Sequence, residues 1–129
     1  MNNNNEQEKK EYLGVSDNEN LVILCGNLAR DPEFYAGTSG NDMVGRCTFP
    51  LIVDNLLPNG TKSSDRINII AWGKVAEHVM NKVHKGTSIV IKGSLHTRSY
   101  VDKNGNKQHM TEVKVDKLIS SKQPTYSNI

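Results

Sequence analysis

The longest regular pattern of apolar and polar residues runs from Gly86 to Leu118. Apolar and β-branched residues alternate with polar ones on both sides of Asn104-Gly105, a pair that tolerates the positive φ angles of a two-residue hairpin turn. The pattern therefore predicts two long strands joined by a tight turn. One face of the first strand is apolar enough to enter a core. The other carries two cations, an imidazole and an aromatic ring, namely Lys92, Arg98, His96 and Tyr100.

This polar face is compatible with two interpretations. Lys and Arg bind the phosphates of a nucleic-acid strand, and flat rings stack on its bases. A solvated strand face has the same composition, with Tyr100 held at the tip of the hairpin. The hairpin alone leaves both interpretations open.

The pattern predicts three more strands upstream. Leu21–Leu28 is apolar without alternation, which predicts a strand buried on both faces, either in the core or at a subunit contact. Met43–Val53 and Asp65–Trp72 alternate and are expected to be half-buried strands. Pro50 cannot donate to a strand ladder and marks an edge or a bulge.

The segments between these strands are predicted to be irregular. Ala36–Asp42 (AGTSGND) is expected to be a glycine-rich loop, and Asp54–Ser64 a flexible excursion. The excursion contains the apolar pair Leu56-Leu57, which is expected either to tuck under the domain or to touch a ligand.

A helix is predicted over Lys74–Lys85. Val75, Val79 and Val83 recur at positions i, i+4 and i+8, the spacing of one helix face. Gly86 then supplies a C-cap.

The order of three strands, one helix and two strands predicts a mainly all-β fold. It matches the five-stranded OB-fold Greek-key barrel with one α-helix between strands 3 and 4, which binds oligonucleotides over its strand 2–3 face. A ferredoxin-like sandwich would need a helix after the first strand, where no segment is long or periodic enough. We expect a disordered polar extension over 1–20, the OB-fold domain over 21–120, and a short polar tail over 121–129.

The charge of the chain is unevenly distributed. The formal net charge is +2, but residues 1–20 hold two lysines and five acids, for a net −3, and the rest carries +5. Residues 85–122 contain eight basic and three acidic residues, so the surplus lies around the hairpin. A basic stripe of this kind is compatible with phosphate binding but common.

Other chemistry finds little support in the composition. Cys25 and Cys47 lie in apolar runs without metal-ligand spacing and are expected to be small core residues in a reducing compartment. The four histidines show no ligand spacing either. With no apolar run near the ~18 residues of a membrane span and no apolar signal core, we expect a soluble, cytoplasmic protein with no metal, cofactor or membrane partner.

Six short pieces of the chain, in order and at the right spacing, resemble the bacterial-type single-stranded DNA-binding protein (SSB) family from Leu21 to about Ser120. They are VILCGNLARDPE (22–33), CTFPL (47–51), IIAWGKVAE (69–77), KGT (85–87), GSLHTRSY (93–100) and TEV (111–113). The resemblance implies an OB-fold that assembles as a homotetramer and binds single-stranded DNA without base preference in replication, recombination or repair. By the same resemblance, Trp72 and Tyr100 match base-stacking aromatics, and Lys74, Lys92 and Arg98 lie at or beside phosphate contacts.

Two departures from the family pattern stand out. Leu56 and Arg66 occupy positions where many members carry an aromatic ring, so two stacking platforms are missing. At roughly 1–3 kcal/mol per stacked base, this loss weakens binding unless phosphate contacts compensate. The chain also has no acid after Asp116, so recruitment of enzymes through an acidic C-terminal tip is not expected.

Three classes of function remain to be weighed. The leading one is a non-catalytic, sequence-tolerant binder of single-stranded DNA; the alternative is an OB-fold protein-interaction module of a replication-restart or mobile-element complex. An enzyme is not expected, because no paired carboxylates, catalytic triad or phosphate loop is found. The candidate DNA-binding residues are Trp72, Tyr100, Lys74, Lys92, Arg98, Arg66, Arg46, Lys62 and Lys107.

Overall fold

The computed structural model describes residues 19–39 and 42–124. Within these residues the chain forms six β-strands and one α-helix. The strands are β1 (Val22–Leu28), β2 (Glu33–Ser39), β3 (Asp42–Leu56), β4 (Lys62–Trp72), β5 (Ser88–Val101) and β6 (Lys107–Lys122), and helix α1 is Gly73–Lys82.

Five of the described strands close into a barrel. They are hydrogen-bonded in the order β1, β5, β6, β4 and β3, and β3 returns to β1 through the pairs Asn27–Ile52 and Leu28–Leu51. The β4–β6 pairing is parallel and the other pairings are antiparallel. With α1 between the third and fourth strands of the barrel, the predicted OB-fold is confirmed.

The core lies where the sequence pattern places it. The inward residues of the five barrel strands and the apolar face of α1 form one buried cluster, which includes Phe49, Leu51, Ile69, Ile91, Val113 and Val79. Helix α1 packs against β3, β4 and β6. Pro50 lies where the edge of β3 passes from β1 to β2, and its carbonyl accepts the Ala29 N–H at 3.1 Å.

A sixth strand occupies part of the segment predicted to be a loop. β2 pairs with the first half of β3, with Phe34 opposite Cys47 and Tyr35 opposite Arg46. The prediction of a loop over Ala36–Asp42 is therefore wrong through Ser39 and again at Asp42, whereas residues 40 and 41 lie outside the described part. The long β3 offers a free edge at this point, and backbone pairing with that edge outweighs the weak strand propensity of the glycine-rich segment.

The predicted excursion over Asp54–Ser64 is also mostly strand. β3 and β4 continue beyond the barrel as a two-stranded ribbon that pairs as far as Leu56 with Lys62. Ser64 Oγ donates to Asp54 Oδ1 at 2.6 Å across this ribbon. The Leu56 side chain does not tuck under the domain, because it is 74% exposed.

The β5–β6 hairpin closes through a longer loop than the sequence predicts. Val101 pairs with Lys107, leaving residues 102–106 as a five-residue loop in which Gly105 has a φ of 82°. Asp102 Oδ1 accepts the backbone N–H groups of Asn104 and Asn106, each at 2.9 Å. The bond from Asn106, followed by that from the Gln108 side chain, holds the pKa of Asp102 below its usual range. These bonds to the carboxylate favour the longer loop over a two-residue turn.

Helix α1 ends three residues before the predicted position. The chain leaves the helix after Lys82, and the Gly86 N–H donates to the Leu28 carbonyl at 2.9 Å instead of capping the helix. Lys85 N–H donates to Asp31 Oδ1 at 2.7 Å. Bonds to the segment around β1 therefore replace the last helical turn.

Within this single chain β1 is buried on one face only, so the expectation of a strand with both faces in the core is wrong. The other alternative, a subunit contact over the exposed face, stays a prediction. Ile23 is 59% exposed and Cys25 is exposed, whereas Leu28 is buried. Cys25 is therefore not a core residue. Cys47, on the inward face of β3, is fully buried as predicted.

The ends of the folded region extend slightly beyond the predicted boundaries. The Asn20 side chain accepts from Leu95 N–H at 2.8 Å and donates to the Leu95 carbonyl at 2.9 Å. β6 continues to Lys122, which pairs with Ser88. The rest of the predicted extension, up to residue 18, and of the tail, from residue 125, lies outside the described residues.

The two thiols are expected to differ in reactivity. Burial raises the pKa of Cys47 to about 11, so at pH 8 about one thiol in a thousand is ionised, and the thiolate is the nucleophile. A Cys25→Ser variant should show almost no reaction with a disulfide reagent when native, and one thiol per chain after unfolding in guanidinium. Prompt reaction of the native variant would contradict the buried position of Cys47.

Candidate nucleic-acid interface

A groove of about 390 Å³ opens on the outer side of the barrel, between β3, β4, β5 and β6. It is referred to below as the cationic groove. The described residues that line it are Arg46, Ile70, Trp72, His96, Arg98, Glu112 and Lys114. Each lies on the strand face opposite to the core residues of its strand, and Ile70, only 4% exposed, forms the apolar floor.

Strand register brings these side chains together. Arg46 on β3 lies opposite Trp72 on β4. Ile70 is paired with Lys114 across the parallel β4–β6 contact. His96 on β5 lies opposite Glu112 on β6. Residues paired in this way point to the same side of the sheet, so four strands contribute to one surface.

Trp72 has its indole on this surface and not in the core. It is the last residue of β4 and the N-cap of α1, and it is 40% exposed. Its indole makes no capping hydrogen bond within the described part of the chain. The alternation of β4 accounts for this exposure, because Trp72 lies on the face opposite to the buried Ile69 and Ala71.

Arg46 lies against two aromatic rings. Its guanidinium carbon is 5.7 Å from the centroid of the Trp72 ring and 5.1 Å from that of Tyr35 on β2. Both distances fall within the range of a cation–π interaction. The cation is therefore held beside the indole, between the Tyr35 and Trp72 rings.

Arg98 is held by a nearly buried carboxylate. Its Nε donates to Glu112 Oε1 at 2.8 Å, and the Glu112 side chain is 7% exposed against 48% for Arg98. The same guanidinium lies 5.9 Å from the centroid of the Tyr100 ring. Its Nη2 donates to Met110 Sδ at 3.4 Å, so two protein groups fix the guanidinium beside Tyr100, which is 41% exposed.

The remaining polar groups of the cationic groove favour an anionic ligand. Among its described lining residues, Arg46, Arg98 and Lys114 face a single carboxylate, that of Glu112. His96 adds an imidazole whose Nε2 is 2.9 Å from Ser94 Oγ. Cations around an apolar floor and an exposed indole provide sites for phosphates and for a flat base at the same place.

The candidate residues from the sequence divide into two groups. Trp72, Arg46 and Arg98 line the cationic groove, and Tyr100 adjoins it through Arg98. The others do not line it. These are Arg66 and Lys62 farther along β4, Lys107 at the start of β6, Lys92 opposite Ile23 and Lys117, and Lys74 in a separate hollow with His78 and Asp116.

Sequence reasoning missed three members of this surface. Lys114 and Glu112 alternate with the core residues Val113 and Val115 on β6, so a parity analysis of the second hairpin strand would have found them. Tyr35 gave no such signal, because its segment was not predicted to be a strand. His96 lines the groove as well, although the sequence does not mark it as a DNA-binding residue.

The described residues contain no cluster of three or more His, Cys, Asp or Glu side chains that could hold a metal ion. Over the same residues, α1 is neither long nor apolar enough to cross a bilayer.

An OB-fold barrel with aromatic rings and cations on one outer face defines the class of oligonucleotide-binding OB-fold modules. The chain belongs to the single-strand binding protein family, whose sequence model matches residues 19–120. The family resemblance found in the sequence is thereby confirmed.

Individual relatives agree with this assignment. The chain is 39% identical over 102 residues to a single-stranded DNA-binding protein of Clostridium tetani, covering 77% of this chain and 68% of the relative. It is 37% identical to a single-stranded DNA-binding protein of Bacteroides thetaiotaomicron (77% and 63%). It is also 37% identical to single-stranded DNA-binding protein 2 of Clostridium acetobutylicum (77% and 74%). The matched region thus spans about two thirds of the length of these relatives.

Proposed function

We propose that this protein binds single-stranded DNA with little base preference and without catalysis. The observation that supports this most directly is the cationic groove, in which the exposed Trp72 indole lies beside Arg46 and across from Arg98 and Lys114. A base stacks on Trp72 while these cations contact the phosphates on either side. Stacking accepts any base because every base has a π-face, so affinity does not depend on sequence.

The other candidate residues extend this site along the strand. Tyr100 offers a second ring at the end of β5, next to Arg98. Arg66 and Lys62 follow β4 away from Trp72, and Lys107 lies opposite Val101 at the base of the β5–β6 loop. A strand of several tens of nucleotides would reach these cations after leaving the cationic groove.

Lys74 and Lys92 lie on other surfaces outside the groove. Lys74 lines the hollow beside α1, and Lys92 is flanked by β1 and β6. We assign them to phosphate contacts of a strand that wraps around the protein.

Titration of the intrinsic fluorescence with oligo-dT tests the proposal, because Trp72 is the single tryptophan of the chain. Stacking should quench the emission strongly at low salt. For an oligo-dT short enough to occupy only the cationic groove, where Arg46, Arg98 and Lys114 each neutralise one phosphate, the slope of log K against log salt should be about −2. Affinity should then fall about 100-fold for a tenfold increase in salt.

A duplex of the same length is the control ligand for this titration. Its bases are not free to stack on Trp72, so it should compete weakly. Binding without quenching would refute stacking at Trp72, and absence of binding at low salt would refute the proposed function.

We further infer that the protein acts in DNA replication, recombination or repair in the cytoplasm as a homo-oligomer, with a tetramer favoured. β1 supports assembly, because it meets β3 only through Asn27 and Leu28 within the described residues and exposes Ile23 beside this free edge. An exposed apolar strand invites pairing with another chain.

Light scattering after size exclusion should give about four times the mass of 14.3 kDa, and a monomer at micromolar concentration would contradict this.

One observation favours the alternative of a protein-interaction module. Leu56 and Leu57 expose 74% and 40% of their surface at the tip of the β3–β4 ribbon. An exposed apolar pair on a projecting ribbon can pack against a protein partner, in the same way as it can pack against a base. Under this alternative, oligo-dT would bind weakly, and a pull-down of partner proteins would survive nuclease treatment.

A further inference from the structure

Tyr35 on β2 is an exposed aromatic residue that continues the cationic groove toward the β2–β3 hairpin. Its side chain is 43% exposed. Tyr35 lies opposite Arg46, and Arg46 lies opposite Trp72. The three residues therefore form one row across β2, β3 and β4, on the same side of the sheet.

The row alternates ring, cation and ring. The Arg46 guanidinium carbon is 5.1 Å from the centroid of the Tyr35 ring and 5.7 Å from that of the Trp72 ring. Neighbouring strands lie about 4.8 Å apart, so the two rings are separated by roughly two strand spacings. A phosphate bound at Arg46 would thus have an aromatic ring on either side.

The Tyr35 ring is also anchored at its far end. Its hydroxyl donates to Glu33 Oε2, and Glu33 Oε1 accepts from Arg30 Nη1. The hydrogen bond to Glu33 raises the pKa of Tyr35 above its usual value. A ring that is held through its hydroxyl and still exposed keeps surface available for another flat group.

We propose that Tyr35 is an additional base-stacking platform, which extends the contact surface for single-stranded DNA from the cationic groove onto β2. This inference rests on the proposed function. The ligand of Tyr35 is one base of the bound DNA strand. The phosphate next to this base is bound at Arg46, and the following base stacks on Trp72. The stack tolerates purines and pyrimidines alike, because Tyr35 presents a ring and not a reading edge.

Binding of fluorescein-labelled oligo-dT of increasing length to wild type, Tyr35→Leu and Tyr35→Phe tests this inference. On long oligonucleotides, Tyr35→Leu should bind about tenfold more weakly, and Tyr35→Phe within about twofold of wild type. The salt slope should not change, since no cation is removed. The shortest oligonucleotides that still quench Trp72 should bind wild type and Tyr35→Leu equally.

Phe34→Leu is the matched control, because Phe34 is 46% exposed and alternates with Tyr35 to the other face of β2. It should bind like wild type. A photocrosslink between wild-type protein and 5-bromouracil DNA, mapped to Tyr35, provides a test that does not depend on the folding of a variant.

Two outcomes would overturn the inference while leaving the proposed function intact. The first is equal affinity of Tyr35→Leu and wild type at every length, with normal quenching of Trp72 and no crosslink at Tyr35. The second is a loss in Tyr35→Phe as large as in Tyr35→Leu, which would assign the effect to the bond with Glu33 and not to the ring. Wild-type protein that fails to bind any oligo-dT would refute the proposed function as well.

Discussion

Replacing Trp72 with leucine is expected to weaken binding to oligo-dT by about 10- to 100-fold. One stacked base contributes roughly 1–3 kcal/mol, and each 1.4 kcal/mol is a factor of ten in affinity. Trp72 is 40% exposed and its indole makes no capping bond with the described residues, so the fold should tolerate the change. Because the variant has no tryptophan, anisotropy of a labelled oligo-dT replaces intrinsic fluorescence as the measurement.

Trp72→Phe is the matched control, since it keeps a flat ring at the same backbone position. If Trp72 binds DNA by stacking, Trp72→Phe should retain most of the affinity that Trp72→Leu loses. The salt slope should be nearly the same in both variants, because Arg46, Arg98 and Lys114 remain. Equal affinity of Trp72→Leu and wild type would show that the cations alone hold the strand.

The elements that could be predicted from the sequence are those whose pattern is set by the barrel core. The alternation around Phe49, Ile69 and Ile91 placed the inward faces correctly, because every second residue of a half-buried strand must be apolar. The spacing of the valines predicted the helix, because one face of a helix that packs on the core must be apolar at a period of 3.6 residues.

What the sequence did not predict depends on long-range pairing. β2 forms because the neighbouring edge of β3 is free to pair with it. The local sequence of residues 33–39 does not reveal this edge. The helix ended early because Lys85 and Gly86 bond to Asp31 and Leu28, far away in the chain. Both errors have one cause, namely that tertiary hydrogen bonds outweighed local propensity.

The same distinction applies to the site. Trp72 and Arg98 could be proposed from parity and family motifs, and the structure brings both to one groove. Tyr35 could not, because its role depends on the register between β2 and β3. Glu112 shows that a carboxylate can belong to a cationic surface when it holds an arginine in position.

Replacing Gly93 with alanine is expected to destabilise the barrel by about 3 kcal/mol or more. A Cβ at this position would lie 2.0 Å from the Lys114 carbonyl oxygen and 3.0 Å from its carbonyl carbon. Both atoms belong to the backbone of β6, which pairs with β5 on one side and β4 on the other. The carbonyl therefore cannot turn away, and β5 must separate from β6 at the seam that also carries the Lys114 side chain into the cationic groove.

Gly105→Ala is the control for this prediction. It measures the cost of replacing a glycine where the added Cβ clashes with no described residue. Gly105 has a φ of 82°, and no described residue outside its own neighbours comes within 4 Å of an added Cβ. Only the backbone strain of the left-handed region remains there, about 1–2 kcal/mol. Thermal unfolding should thus rank wild type above Gly105→Ala and both above Gly93→Ala, with Gly93→Ala lower than wild type by more than about 10 °C. If Gly93→Ala melted close to wild type and bound oligo-dT normally, the close contact between Gly93 of β5 and the Lys114 carbonyl of β6 would be contradicted.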